Sequence, residues 1–552
     1  MESQRSFLVI GLALVSFLLF QQWQVDYNTP APQQVSAENT QVVTDNGQSN
    51  AIVKNRSADL PESDAAPIAE VEKVASSQLI KVTTDALEIL IDPRGGDVVS
   101  AILLEHDRTH LSEEKFVLLQ QSPAYVAMSG LVGAQGPDGN SNGRPVYSVT
   151  QQDWTLEDNS LVVPLTFQSE QGLTVVKTFT FKREKHSIDV AFKVTNNNAT
   201  AATIQPFYQL KQDLVEHESS MMMPTYRGGV YSTADEAYDK YDFDDMADER
   251  LNKNTLGGWV GMIQHYFVSA WVPSQTEQNS IYSRVINNGG AAIIGVKSPS
   301  VAVQPGQTVE VGSTLFAGPK NQEELSQIHN TLDLTVDYGF LWFISQILFS
   351  GLAFIYGVVG NWGIAIILIT IVVKMFLYPL TKKQYESMAK MRALQPKMEQ
   401  LKQRYGDDRQ KFGQATMELY KKEKVNPMGG CLPLILQMPI LLALYWVFLE
   451  SVELRHAPFG LWITDLSAKD PYFVLPILFG ASMFLMQKLS PTPSADPMQQ
   501  KMMMWMPVLF SVFFLWFPSG LVLYWFVSNL ISIIQMLVIY KNIDKKAAAK
   551  KG

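Results

Sequence analysis

Two hydropathy regimes divide the chain. From about Leu79 to Pro319 apolar and polar residues alternate in short runs, as at Leu161–Phe167, Thr174–Lys182 and Ser187–Thr195. A period of two is that of half-buried strands. Turn signals at Arg94-Gly95-Gly96, Asn196-Asn197-Asn198 and Pro305-Gly306 separate these runs. The pattern predicts an antiparallel all-β domain over 79–319, built as a large sandwich. After it the alternation gives way to long apolar runs, which read as membrane helices.

Five such runs follow the β-region: 361–380, 430–450, 471–488, 503–517 and 520–540. A sixth opens the chain. Phe7–Phe20 lies behind Arg5 and is followed by Gln21, Gln22, Trp23 and Gln24 rather than by small residues. The nearest candidate cleavage site, Val35-Ser36-Ala37, is far downstream, so 1–23 reads as an uncleaved signal anchor. Residues 24–78 are polar and poor in aromatics, a composition that cannot bury a core and reads as a disordered linker. Between the β-domain and the second span, 320–360 reads as a short helix followed by an amphipathic helix on the outer membrane interface.

Charge orients this arrangement. The net formal charge is −9, but Thr381–Val425 holds twelve Lys or Arg against six Asp or Glu, and the tail from Lys541 five Lys against Asp544. The remainder is therefore strongly acidic. Basic patches flanking apolar runs follow the positive-inside rule. Both termini and the loop 381–425 are thus expected in the cytoplasm, and the β-domain outside, in the periplasm of a two-membrane cell. Cys431 is the only cysteine, which excludes an intramolecular disulfide.

Within 381–425, Met391, Leu394, Met398, Leu401 and Tyr405 recur at three- and four-residue steps. They form the seam of a cytoplasmic helical hairpin that turns at Gly406-Asp407-Asp408, with a second helix over about Arg409–Lys424. The seam either packs within the hairpin or offers adaptable thioethers to partners. Arg392 and Lys397 stand among the basic residues beside it, suited to anionic lipid or ribosomal RNA.

The candidate chemistry lies in the spans. Lys374 is a full charge inside the run Asn361–Pro379, one turn after Thr370. It either snorkels to the headgroups or faces a polar interior. Gln437, between Pro433 and Pro439, adds polarity and broken backbone bonds at depth. Tyr524, Ser528, Asn529 and Gln535 add polarity in the last span. Together with the shortness of several spans, these groups suggest a hydrated groove. In the β-domain, Asp242, Asp244, Asp245 and Asp248 lack the Gly and Glu of a calcium loop and read as a solvated acidic loop. His106, His110, His186, His217 and His265 show no metal-ligand spacing.

The motifs Asn361-Trp362-Gly363, Tyr378-Pro379-Leu380-Thr381-Lys382, Asn426-Pro427-Met428-Gly429-Gly430-Cys431 and Phe517-Pro518-Ser519-Gly520 follow a signal anchor and a large β-domain. In this order they resemble the YidC family of Gram-negative membrane protein insertases, relatives of the mitochondrial and chloroplast insertases. The resemblance implies a five-helix core around a hydrophilic groove, and a periplasmic supersandwich of galactose-mutarotase type. It implies no cofactor or metal, and nascent membrane proteins, the Sec translocon, the ribosome and the bilayer as partners. Lys374 stands where family members usually carry Arg, which keeps the charge and loses the bidentate fork. Met438, Pro439, Phe513, Tyr524 and Trp525 match family positions along the substrate path. A solute transporter with a fused sugar-binding domain is the alternative, but no internal repeat supports it.

Overall fold

The computed structural model describes residues 60–61, 78–110, 112–139, 143–170, 172–215, 225–405, 408–423, 425, 432–489 and 497–549. The expected signal anchor, nearly all of the expected linker, His217, Asn426–Cys431 and the last residues of the tail lie outside them.

The region from Ile80 to Pro319 is all-β, as the alternation predicts. An eleven-stranded sheet runs from Asn252–Leu256 through Ala202–Asp213 and Asp97–Asp107 to Asp153–Thr155. An eight-stranded sheet runs from Asp239–Tyr241 through Thr308–Pro319 to Ser160–Gln168. Pairing is antiparallel except where Ile80–Thr83 meets Asp153–Thr155. The three alternating runs singled out above are successive strands, Ser160–Gln168, Leu173–Lys182 and Ser187–Asn196, paired in register such as Thr178 with Ala191. Their inward rows, Val175, Phe179, Phe192 and Val194, meet Ile80, Leu87 and Ile89 of the other sheet, so the two sheets enclose one core.

Several strands of the eight-stranded sheet do not alternate, because both of their faces are covered. Tyr231, Val260 and Trp271 face the sandwich core. Their neighbours Val230, Trp259 and Ala270 pack with Leu348, Leu352, Ala443 and Leu444 of the helical region. A strand buried on both sides loses its polar row. The β-domain and the helices therefore share a hydrophobic layer.

The acidic segment is a helix rather than a loop: α1, Phe243–Asp248, starts from Asp242 in a capping box with Asp245. Reciprocal side-chain to backbone bonds explain the density of aspartates, since each satisfies an otherwise orphaned donor. α2 is Gln322–Ile328, capped by Asn321. α3, Trp342–Val359, continues a short 3-10 turn from Gly339. This is the helix expected on the outer membrane interface. Its exposed side carries Phe343, Ile347, Phe354 and Val358, and Gly339–Val359 is long and apolar enough to cross a membrane. Gly360 ends α3 in the left-handed conformation, and Asn361 caps α4, Trp362–Phe376, by accepting from the amide of Ile364 at 3.0 Å.

α5 is Tyr378–Ala393, α6 Gln395–Tyr405 and α7 Arg409–Lys422. The seam expected to run on one helix from Met391 to Tyr405 is broken at Leu394. Pro396 has no N–H to offer the carbonyl of Arg392, and its ring crowds that turn. The described residues from 387 to 425 belong to a different compact unit from the main body. Within it α6 and α7 pack together, with Lys397 Nζ 2.5 Å from Glu423 Oε1.

In the main body α8 is Leu432–Glu450, with Pro439 inside it. α9 is Val474–Leu489, α10 Pro497–Phe513 and α11 Ser519–Ala549. α11 packs against α4, α8 and α9, and its stretch Ser519–Ile543 is the second helix long and apolar enough to span. The apolar parts of α8, α9 and α10 are shorter.

Candidate functional site

The helical packing brings α4 and α11 side by side. Lys374, in the last turn of α4, is buried at 6% exposure, and its Nζ donates to Ser532 Oγ at 2.9 Å. The Ser532 hydroxyl in turn donates to the carbonyl of Ser528 at 2.8 Å. One turn further along α11, Gln535 Nε2 donates to the Lys374 carbonyl at 3.2 Å. Tyr385 of α5 donates its hydroxyl to the Ser532 carbonyl at 3.4 Å. Among the described residues no carboxylate lies within 4.0 Å of Lys374. A cation removed from water without a counter-ion is costly unless something else stabilises it.

Of the residues expected in the groove, Lys374 and Ser528 belong to this cluster. Thr370 lies a turn away but bonds its own helix: fully buried, it donates to the Ile366 carbonyl at 2.6 Å. Such back-bonding satisfies a hydroxyl in an apolar setting and removes it from the surface offered to a ligand. Tyr524 is buried, its ring 6.1 Å from that of Phe448. Trp525 is half-buried and meets Phe514 edge-on at 4.1 Å, with a buried Nε1 that has no partner among the described residues. Gln437 and Pro439 are half-buried on α8, and Met438 and Phe513 are exposed at 43% and 41%. None of these four shares a hydrogen bond with Lys374 among the described residues.

A second polar link ties α11 to α9. Asn529 Nδ2 donates to Ser482 Oγ at 3.1 Å, and Ser482 donates to the Phe479 carbonyl at 2.7 Å. In the hairpin unit, Leu394 is buried, Met391 and Met398 are half-buried, and Arg392 and Lys397 are exposed. Sequence reasoning missed Ser532 and Tyr385 and left Gln535 out of the site. The signal was the spacing of Ser528, Ser532 and Gln535, which sets all three on one face of a helix.

Two family models match the chain. The YidC periplasmic domain matches residues 79–350, and the 60Kd inner membrane protein matches 354–546. A membrane protein insertase YidC of Shewanella frigidimarina is 56% identical over 550 residues, covering 99% of both chains. The chain belongs to the YidC family of membrane protein insertases. The YidC of Pseudoalteromonas atlantica is 54% identical over 558 residues, with full coverage of both. A crystal structure of an active YidC insertase with its first transmembrane domain resolved is 18% identical, covering 85% of this chain and 93% of that one at a TM-score of 0.38. As a YidC-family member the chain is an inner-membrane insertase with a periplasmic β-domain, and its substrates are membrane proteins.

Proposed function

We propose that the chain inserts nascent membrane proteins through a polar groove bordered by α4 and α11, with Lys374 as its charge. The observation that supports this reading is the burial of an ammonium whose protein partner among the described residues is a neutral hydroxyl. A hydrophilic substrate tail carrying Asp or Glu supplies the missing counter-charge. It is drawn in electrostatically, since a charge pair in a poorly screened site attracts far more strongly than in water. The adjoining apolar segment slides past the exposed side chains Met438 and Phe513 and partitions into lipid, at a gain of about 0.8 kcal/mol per buried methylene. Short apolar helices thin the surrounding bilayer and shorten the path of the polar tail.

On this reading both termini and the hairpin are cytoplasmic, where the basic residues Arg392 and Lys397 meet a ribosome or anionic lipid. The large domain is periplasmic, and the protein works alone or beside the Sec translocon. The test is protease protection of a single-span substrate with an acidic tail, synthesised onto liposomes holding only this protein. The expected result is protection above empty liposomes that falls with Lys374→Glu. Absence of protection without the translocon, and its return when the translocon is added, would replace autonomous insertion by Sec-dependent insertion. Equal effects of Lys374→Glu on acidic and neutral tails would remove the charge from the mechanism.

A further inference from the structure

We propose that Ser532 and Gln535 are positioning residues for the groove cation: they fix where the Lys374 ammonium sits and thereby set the preference for acidic tails. This rests on the groove reading above. A lysine side chain has four rotatable bonds and a point charge that bonds in any direction, so by itself it defines no fixed site. Ser532 removes that freedom. Its only proton is committed to the Ser528 carbonyl at 2.8 Å, which leaves the oxygen lone pairs for the Lys374 Nζ at 2.9 Å. The hydroxyl is thus held as an acceptor. One N–H of the ammonium is consumed, and among the described residues the other two meet no acceptor and are open to a substrate carboxylate.

Gln535 acts on the root of the same side chain. Lys374 is in the last turn of α4, whose final carbonyls lack partners within the helix. Gln535 Nε2 supplies one to the Lys374 carbonyl at 3.2 Å, which holds the backbone from which the ammonium is projected. Tyr385 extends the chain of bonds to the start of α5 through the Ser532 carbonyl at 3.4 Å. The ammonium is therefore held at both ends by α11. This matters more for a lysine than it would for an arginine, because a guanidinium carries its own rigid geometry.

The competing account is that Ser532 merely satisfies a buried polar group for the sake of the fold. The two differ in what they do to substrates. The full chain in liposomes is given two single-span substrates that differ only in an acidic or a neutral tail. The expected result is that Ser532→Ala lowers the ratio of acidic-tail to neutral-tail insertion by about tenfold, the scale of one charge-assisted hydrogen bond. Ser532→Thr, which keeps the hydroxyl, restores the ratio, and Gln535→Leu lowers it in the same direction. Combined with Lys374→Met, Ser532→Ala changes the ratio no further.

A loss that is equal for both tails, or one that persists beside Lys374→Met, would assign Ser532 to the fold alone and overturn the proposal. A normal ratio in Ser532→Ala, with a lowered ratio in Lys374→Met, would overturn the positioning role and leave the groove charge standing. An unchanged ratio in Lys374→Met would overturn both. Carbodiimide coupling of the acidic tail to the Lys374 amine gives an independent readout, and its yield is expected to fall in Ser532→Ala and recover in Ser532→Thr.

Discussion

Lys320 and Glu450 form an ion pair with Nζ and Oε2 2.7 Å apart and side chains 2% and 7% exposed. Lys320 follows the last strand of the β-domain and Glu450 ends α8, so the pair bolts the periplasmic domain to the apolar helix α8. Lys320 Nζ also donates to the Thr335 carbonyl at 3.2 Å. Beside it His265 Nε2 donates to the Leu449 carbonyl at 3.0 Å. Removing one partner of such a pair strands a buried charge, at about 3–5 kcal/mol. Lys320→Met is therefore expected to lower the thermal midpoint of the full chain in detergent, and Lys320→Met with Glu450→Leu to recover most of the loss. Losses in Lys320→Met and in Glu450→Leu alone that add up in the double variant would show that the charges do not depend on each other.

Glu453, in the loop after α8, is half-buried, and burial pushes its carboxyl up to about 7 from its ordinary 4.5. Between these values the unfolded chain is ionised there while the folded one keeps the proton. Stability contributed by this group is present below about 4.5 and is lost as pH rises toward 7, at no more than about 1.4 kcal/mol per pH unit. His106 and His265, whose charged forms burial disfavours, act in the opposite sense over part of this range. The difference between wild type and Glu453→Gln isolates the carboxyl. Their thermal midpoints, measured from pH 4.5 to 8, are expected to diverge as pH rises. Parallel curves would mean that the carboxyl is ionised in the folded protein.

Gly363 in the first turn of α4 has no room for a side chain, because a Cβ there would overlap the ring of Phe459. The loop carrying Phe459 is fastened to the same turn by Asn361, whose amide donates to the carbonyls of Pro458 and Phe459 at 3.3 and 3.1 Å. Gly363→Ala is expected to cost about 1–3 kcal/mol as an overpacked contact. Phe459→Ala in addition should return part of that cost. A Gly363→Ala midpoint equal to wild type would show that the loop yields freely.

How legible these features were depends on range. The strands of Ser160–Asn196 were readable because one face of each is wet, and so was the turn from α3 to α4 at Gly360 and Asn361. Strands such as Trp259–Gln264 and Phe267–Pro273 were harder, because both faces are buried and the alternation vanishes. The break at Leu394 was legible in Pro396 and overlooked in favour of the heptad spacing. Lys374 was visible as a charge out of place. Ser532 was not, since a serine in a membrane helix is unremarkable until its partner across 158 residues of sequence is known. The helix of Asp242–Asp248 was masked by composition, as capping aspartates and solvated aspartates look alike.

Lys177 was legible in a way that composition hides. Along Leu173, Val175, Lys177, Phe179 and Phe181 every residue faces inward, so the alternation itself places an ammonium in the sandwich core. It is fully buried and spends its three donors on the carbonyls of Gly95, Gly96 and Ser129 at 3.0, 2.7 and 3.0 Å. Arg144 bonds both Asp97 and Asp138 nearby, and burial lowers the Lys177 pKa. The cation thus clasps the Gly95-Gly96 turn of one sheet to a strand of the other. Lys177→Met keeps the volume and removes three bonds; Arg144 Nη2 still reaches the Ser129 and Gly95 carbonyls at 2.9 and 3.4 Å, so the Gly96 carbonyl is the one that loses its side-chain donor, at about 1–3 kcal/mol when buried. The variant is expected to lose about 1–3 kcal/mol of stability, read as a drop in the thermal midpoint followed by near-ultraviolet circular dichroism of the full chain. Lys177→Arg is expected not to rescue it, because a planar fork cannot reach three carbonyls converging on a single point. A methionine variant as stable as wild type would mean that the carbonyls find other donors and that the clasp does not hold the sheets together.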